Sequence, residues 1–303
     1  MSVLSKLKLF KGYIFVILSA IIYGLMPLMA KYIYLDGVTP FSLVFLRNLF
    51  SLPVLALLSI LSKQSLKVDL KEFSKISLIG IFGCLITPIL IFISYNYIAS
   101  GTATVLHYIY PAIVILISIL FLKKKPDKVS ILSVIICVIG ISLFYNPLEP
   151  INLKGGALAL ASGLTFAIYV ILLSNFKNKK TTGFAFSFYI SLSCSVIMLM
   201  ICLISNQLIF PKTLFGWGLT LLFAITISVG AVVLFQQGTF IIGGEKASIL
   251  ATAEPITSVI AGVIIFNEII NLKTIFGTIL VITASILIAI SDMKIKKEKE
   301  LST

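Results

Sequence analysis

The chain has 303 residues, of which 59% are apolar and only 12% are charged. A soluble domain would carry about a quarter charged residues, so the composition excludes an ordinary water-soluble protein and favours one embedded in lipid. The formal charge of +13 at pH 7 would indicate a nucleic-acid partner if the basic residues formed one continuous surface. They lie instead between apolar stretches, which excludes nucleic-acid binding as a function.

Ten apolar runs are long enough to cross a membrane, because roughly 20 helical residues span about 30 Å of hydrocarbon. Numbered as spans 1 to 10, they are residues 12–33, 41–61, 76–98, 102–122, 129–145, 155–173, 184–205, 215–237, 247–266 and 274–290. The first run is too long for the core of a cleavable signal peptide, so it is interpreted as a retained helix. The sequence therefore predicts an all-α integral membrane protein with ten transmembrane helices.

The basic residues lie predominantly on one side of the predicted membrane. With the N-terminus in the cytoplasm, all but five of the 24 Lys and Arg residues are cytoplasmic. The exceptions are Lys31, Lys154, Lys212 and Lys273 outside and Arg47 within span 2. Positively charged segments stay in the cytoplasm, so we predict a multi-pass protein of the cytoplasmic membrane with both termini inside and residues 291–303 as a charged cytoplasmic tail.

An internal repeat relates the two halves of the chain. At one constant offset, Lys11, Gly12, Ser19, Phe41 and Phe45 match Lys154, Gly155, Ser162, Phe184 and Phe188; at an offset larger by one position, Ala103, Leu106, Pro111 and Ile131 match Ala247, Leu250, Pro255 and Ile275. We call the first of these the repeat offset. Each half holds five spans, an odd number, so the repeats have opposite orientations. Residues 1–145 form the first predicted repeat, residues 146–154 a linker and residues 155–290 the second repeat.

Two segments resemble the EamA-type branch of the drug/metabolite transporter superfamily. They are EKASILATAEPITSVIAGVIIFNE (residues 245–268) and SGTATVLHYIYPAIVILISILFL (residues 100–122). The resemblance extends over nearly the whole chain and implies a ten-helix carrier that works by alternating access, frequently exporting amino acids, related metabolites or drugs. One feature departs from the family pattern: the acidic residue that often closes the fourth helix is replaced by Lys123, Lys124 and Lys125, whereas Glu268 is present in the ninth.

Three ionisable side chains lie at membrane depth, where a charge usually faces a cavity or a partner. Arg47 is roughly 9 Å deep at 1.5 Å per residue; either it binds a substrate carboxylate or phosphate, or it snorkels to the membrane surface. His107 is either a proton-coupling group or a neutral histidine hydrogen-bonded between helices. Glu254 is either a proton carrier or cation ligand, or a carboxyl that caps polar groups freed by Pro255.

Aromatic and amide side chains complete the predicted pocket. Tyr23, Tyr110 and Tyr169, with Asn96 and Gln236, offer aromatic faces and hydrogen-bonding groups suited to an amino acid. Tyr95, Tyr97 and Trp217 lie near helix ends and are interpreted mainly as anchors at the lipid headgroups. Pro111 and Pro255 occupy matching positions and each removes one backbone hydrogen bond, so we predict paired kinks beside a central site.

Neither an enzyme nor a cofactor or metal site is indicated. The sequence contains no Walker-type, GxSxG or HExxH motif, and its four cysteines are interpreted as packing residues. We predict a secondary transporter for a small metabolite, in first place an amino acid or related metabolite for export, in which the two repeats rock about a cavity. Membrane lipid and the substrate are the expected partners, and protons are a candidate coupling ion. A drug or organic-cation carrier and a non-transporting scaffold or sensor are the alternatives.

Overall fold

A computed structural model describes residues 3–98, 100–123, 128–143, 152–176, 181, 183–254, 256–257, 260, 272–273, 275–284 and 286–287. The secondary structure of these residues is helical, with short turns between helices. The tail at residues 291–303, most of the inter-repeat linker and Pro255 lie outside the described residues, so the kink predicted at Pro255 stays a prediction.

The helices follow the predicted spans closely. Span 1 contains α1 (Val3–Tyr23) and α2 (Met26–Leu35); span 2 is α3 (Pro40–Leu61); span 3 contains α4 (Leu70–Gly80), a π-helical segment (Ile81–Ile86) and α5 (Thr87–Ser94); span 4 contains α6 (Ser100–His107) and α7 (Tyr110–Leu120); span 5 is α8 (Lys128–Ser142). Span 6 is α9 (Leu153–Ser174); span 7 is α10 (Phe184–Ile204); span 8 contains α11 (Leu214–Phe223), a π-helical segment (Ala224–Ala231) and α12 (Val232–Ile242); span 9 begins with α13 (Gly244–Ala251). Within span 10 lies the helix Ile275–Ala284.

Six helical stretches are long and apolar enough to cross a membrane. They are Leu7–Leu35, Pro40–Leu61, Leu70–Ser94, Leu153–Ser174, Phe184–Ile204 and Leu214–Ile242, and they correspond to the first three spans of each repeat. Shorter apolar helices lie in spans 4, 5 and 10. The protein is therefore an all-α, multi-pass membrane protein, while the count of ten and the cytoplasmic position of both termini stay predictions.

The two π-helical segments are a repeat feature that the sequence pattern did not predict. They begin at Ile81 and Ala224, positions that are separated by the repeat offset. A π-helical turn disturbs the usual backbone hydrogen-bond pattern, and neighbouring spans use carbonyl groups in or beside both segments. Arg47 Nη2 lies 3.3 Å from the Cys84 oxygen, and Ser19 Oγ lies 2.8 Å from the Ala231 oxygen. The internal symmetry is thus present in the backbone as well as in the residue pattern.

The described helices pack into two bundles that mix the repeats. Span 1 packs against spans 8 and 9, and span 2 packs against the π-helical part of span 8. By the same pattern, span 6 packs against spans 3 and 4, and span 7 packs against span 3. We call spans 1, 2, 8 and 9 bundle A and spans 3, 4, 6 and 7 bundle B. The principal contacts between the bundles are a seam between spans 2 and 7 and a seam between spans 4 and 9.

Hydrogen bonds tie the seam between spans 2 and 7 at the end where span 2 begins. The hydroxyl groups of Thr39 and Ser42 donate to the Gln207 carbonyl over 2.7 Å each, and the Ile209 amide donates to Ser42 Oγ over 2.7 Å. Beside them, Asp36 Oδ2 accepts hydrogen bonds from the backbone amides of residues 212 and 213, just before α11 begins. We call this set the Asp36 junction.

A related set of bonds ties the same seam at its other end. Gln64 Oε1 accepts a hydrogen bond from the Ala185 amide over 3.1 Å, and the Tyr189 hydroxyl donates to the Leu66 carbonyl. Gln64 and Gln207 are separated by the repeat offset, and each follows a residue with a φ of 53°, Lys63 or Asn206. We call this set the Gln64 junction. The two junctions are therefore counterparts under the internal repeat, at opposite ends of one seam.

Candidate functional site

A cavity lies between the two bundles. Aromatic rings form much of its wall, and three ionisable residues lie among them. The rings belong to Tyr23, Tyr95, Tyr110, Phe166 and Phe235, and the ionisable residues are Arg47, His107 and Glu254. All three charged or titratable residues predicted for the site therefore lie on one cavity, although they come from three different spans.

The Arg47 guanidinium is buried and forms no ion pair with the described residues. Its side chain is 3% exposed, Nη2 donates to the Cys84 carbonyl, and Nε has no hydrogen-bond partner there. Asn48 Nδ2 also reaches the Cys84 carbonyl, at 3.4 Å, while donating to the Val44 carbonyl at 2.8 Å. A buried guanidinium in this position is suited to an anionic group that enters the cavity.

The His107 side chain is fixed by span 6. His107 Nδ1 lies 2.8 Å from Ser162 Oγ, and the imidazole packs against the rings of Tyr110 and Phe166, with centroid distances of 5.3 and 5.4 Å. The same side chain lines the cavity. His107 thus forms a hydrogen bond between helices and also lines the cavity, while its role in proton coupling stays a prediction.

Glu254 and two tyrosines lie where the cavity meets the seam between spans 4 and 9. The Tyr108 hydroxyl lies 3.4 Å from the Ala251 carbonyl. The Tyr110 hydroxyl lies 3.2 Å from the Ser248 carbonyl. Span 4 is interrupted at Tyr108 and Ile109, immediately before Tyr110 and Pro111, and this interruption brings both tyrosines onto the seam.

Three residues predicted for the pocket lie away from its wall. Tyr169 is 2% exposed and packs behind the cavity rings, 5.4 Å from Phe166 and 6.1 Å from Phe235 by ring centroid. Gln236 is fully buried and accepts a hydrogen bond from Ser187 Oγ over 2.5 Å. Asn96 is exposed at the end of span 3. Tyr169 and Gln236 therefore contribute to packing between helices rather than to the cavity surface.

Several cavity residues were missed in the sequence. Tyr95, interpreted mainly as a headgroup anchor, lines the cavity. Phe166 also lines the cavity, and it is the counterpart of Tyr23 at the repeat offset. The internal repeat therefore contained a signal for Phe166, because the counterpart of one cavity residue is a candidate for the other wall.

A metal centre is not formed by the part of the chain that the structure describes. No group of three or more His, Cys, Asp or Glu side chains there is arranged to hold a metal ion. The four cysteines are buried and unpaired. The side chains that line the cavity can form hydrogen bonds, pair with charged groups and contact a ligand with aromatic rings.

Comparisons with known proteins agree with this architecture. A model of the EamA-like transporter family matches residues 10–146 and 153–290. An uncharacterized transporter of Clostridium kluyveri is 24% identical over 96% of this chain and 97% of its own length. The uncharacterized inner membrane transporter YicL of Salmonella typhimurium is 23% identical over 94% and 97%. One crystal structure has a TM-score of 0.74 at 14% identity, covering 94% of this chain and 98% of the other, which shows a shared fold.

Proposed function

Because the chain belongs to the EamA-like transporter family, we propose that it is a secondary carrier that exports a small metabolite, in first place an amino acid or a related metabolite, across the cytoplasmic membrane. The observation that carries this proposal is Arg47, a buried cation on a cavity between the two bundles that forms no ion pair with the described residues. Removing an ion from water costs several kcal/mol unless it is paired. A substrate anion would provide that pairing.

The other cavity groups suit the remainder of such a substrate. An amino acid would place its carboxylate at Arg47 and its ammonium group near Glu254, the carboxyl on the cavity wall. The rings of Tyr23, Tyr95 and Tyr110 would contact the ammonium group or an apolar side chain. Among the described residues, Arg47 is the one basic side chain of the Lys or Arg type on this wall. A single cation of this kind favours a substrate with a single negative charge.

The packing supports a mechanism in which the mixed bundles move, rather than the two repeats as the sequence suggested. The seam between spans 2 and 7 is hydrogen-bonded at both ends by the Asp36 and Gln64 junctions. The seam between spans 4 and 9 is held by Tyr108 and Tyr110 through longer bonds of 3.4 and 3.2 Å. We infer rocking about the first seam, which would open and close the second. Glu254 and His107, both beside the second seam, are the candidates for proton coupling.

The test is a metabolite panel, first by thermal shift in detergent and then by flux into proteoliposomes. A bound substrate stabilises the folded carrier. A hydrogen bond to a charged group is worth about 1.5–3 kcal/mol, so Arg47→Gln should weaken apparent affinity by roughly 10- to 150-fold, since about 1.4 kcal/mol is a factor of ten. Arg47→Lys keeps the charge without the planar fork and should lie between. Unchanged kinetics in Arg47→Gln would exclude this role.

The cavity also has a feature that favours an organic cation as substrate. Glu254 is an acidic residue on a wall rich in aromatic rings, an arrangement that attracts cations. For such a carrier, Glu254→Gln should abolish flux of a quaternary ammonium probe such as choline or tetraethylammonium, while Arg47→Gln should be tolerated. The opposite pattern, loss in Arg47→Gln with an anionic or zwitterionic substrate, supports the first proposal.

A further inference from the structure

We propose that Ser162 is a positioning residue that fixes the tautomer of His107, so that His107 Nε2 is a hydrogen-bond acceptor for an N–H group of the substrate. The proposal rests on the transport function in one respect, the identity of the cavity as the substrate site. The tautomer itself follows from contacts in the fold and does not depend on transport.

The hydroxyl group of Ser162 has two neighbours but only one hydrogen to donate. Ser162 is fully buried; its Oγ lies 2.6 Å from the Ala159 carbonyl oxygen and 2.8 Å from His107 Nδ1. A separation of 2.6 Å between two oxygens requires a hydrogen between them, and a carbonyl has none. Ser162 therefore donates to Ala159, and its oxygen accepts from His107 Nδ1.

This assignment determines the other ring nitrogen. A neutral imidazole has one N–H and one acceptor nitrogen, so a proton on Nδ1 leaves a lone pair on Nε2. The neighbouring rings of Tyr108, Tyr110 and Phe166 form an apolar surrounding in which the neutral imidazole is favoured. No described residue forms a hydrogen bond with Nε2, although His107 lines the cavity. The acceptor is therefore available to a ligand.

An acceptor at His107 complements the donors at Arg47. A guanidinium can only donate hydrogen bonds, so Arg47 selects an anionic group, whereas Nε2 selects an N–H or O–H group. A molecule with both, such as a zwitterion, satisfies the two residues together. The counterpart of His107 in the second repeat, by the offset that matches Pro111 to Pro255, is Ala251, so this recognition belongs to one wall of the cavity.

The internal repeat supplies a matched control for Ser162. Its counterpart is Ser19, which is also fully buried but donates to the Ala231 carbonyl over 2.8 Å. Ser19 therefore joins spans 1 and 8 and has no histidine to orient. The same residue type at matching positions thus serves packing in one repeat and, by this proposal, orientation of a functional side chain in the other.

His107 is the only histidine in the chain, so labelling with ¹⁵N-histidine gives NMR signals from one ring in protein purified through a tag without histidine. We expect the wild-type spectrum at neutral pH to show a protonated Nδ1 and an unprotonated Nε2. In Ser162→Ala the ring should shift toward the Nε2-protonated tautomer, while Ser162→Thr should restore the wild-type pattern and Ser19→Ala should keep it. A protonated Nε2 in the wild type would overturn the proposal even if Ser162→Ala does not fold.

The acceptor role is tested by adding an equimolar mixture of the twenty amino acids to the labelled wild-type protein. We expect the Nε2 signal to move toward the hydrogen-bonded position, with a smaller change at Nδ1. No change at Nε2 would overturn the acceptor role. The transport proposal fails separately, through absence of flux in proteoliposomes, because the apo spectrum reports the tautomer without any substrate.

Discussion

Replacing Gln64 with Ala should destabilise the protein, because Gln64 caps a helix in another part of the chain. The helix Phe184–Ile204 begins after Gly183, which offers no side-chain cap, and the Ala185 amide donates to Gln64 Oε1 instead. Ala185 is 1% exposed. Loss of a helix cap costs about 0.5–2 kcal/mol. At about 2–4 °C per kcal/mol, we expect the melting temperature in detergent to fall by roughly 1–8 °C.

The internal repeat provides the control for this experiment. Gln207, the counterpart of Gln64, takes part in its junction through its backbone carbonyl, and its side chain makes no hydrogen bond to the described residues. Gln207→Ala should therefore leave the melting temperature unchanged. Gln64→Glu keeps an acceptor, with a negative charge that is favourable at a helix N-terminus, and should retain stability. Equal melting temperatures for Gln64→Ala and Gln207→Ala would refute the capping argument.

Two further predictions concern close packing and pH. A Cβ atom at Gly163 would lie 2.6 Å from the His107 carbonyl oxygen, whereas one at Gly218 would meet nothing within 4 Å. We expect Gly163→Ala to lower the free energy of unfolding by about 1–3 kcal/mol through overpacking, and Gly218→Ala to leave it unchanged. Equal thermal stability of the two variants would contradict this. Hydrogen bonds from the Thr213 backbone hold the pKa of Asp36 below its ordinary value, so the carboxylate stabilises the folded state at neutral pH and this contribution is lost as the pH falls below about 4. The melting temperature of the wild type should exceed that of Asp36→Asn at neutral pH, and this difference should shrink in that range. A difference in melting temperature that stays constant from neutral pH down to about pH 3 would argue against a stabilising contribution of the Asp36 carboxylate.

The sequence predicted those parts of the architecture that depend on residues close together along the chain. Apolar runs and the repeat offset predicted helical spans and two related halves, and the family match over residues 10–146 and 153–290 agrees with such a division. The mixing of repeats in bundles A and B was not accessible, because pairing of span 1 with span 8 is a contact between distant segments. The π-helical segments were also missed, since apolar sequence of this kind fits an α-helix equally well.

The residues of the cavity, too, were only partly predictable from the sequence. Tyr95 and Asn96 are adjacent in the turn that follows α5, but Tyr95 lines the cavity and Asn96 is exposed, because the direction of each side chain there depends on how the turn packs against other spans. The sequence by itself determined that a few polar groups, Arg47 among them, must be accommodated within apolar helices. Only the tertiary structure decided that Arg47, His107 and Glu254 share one cavity and that Ser162 lies beside His107, since those distances depend on how separate spans pack.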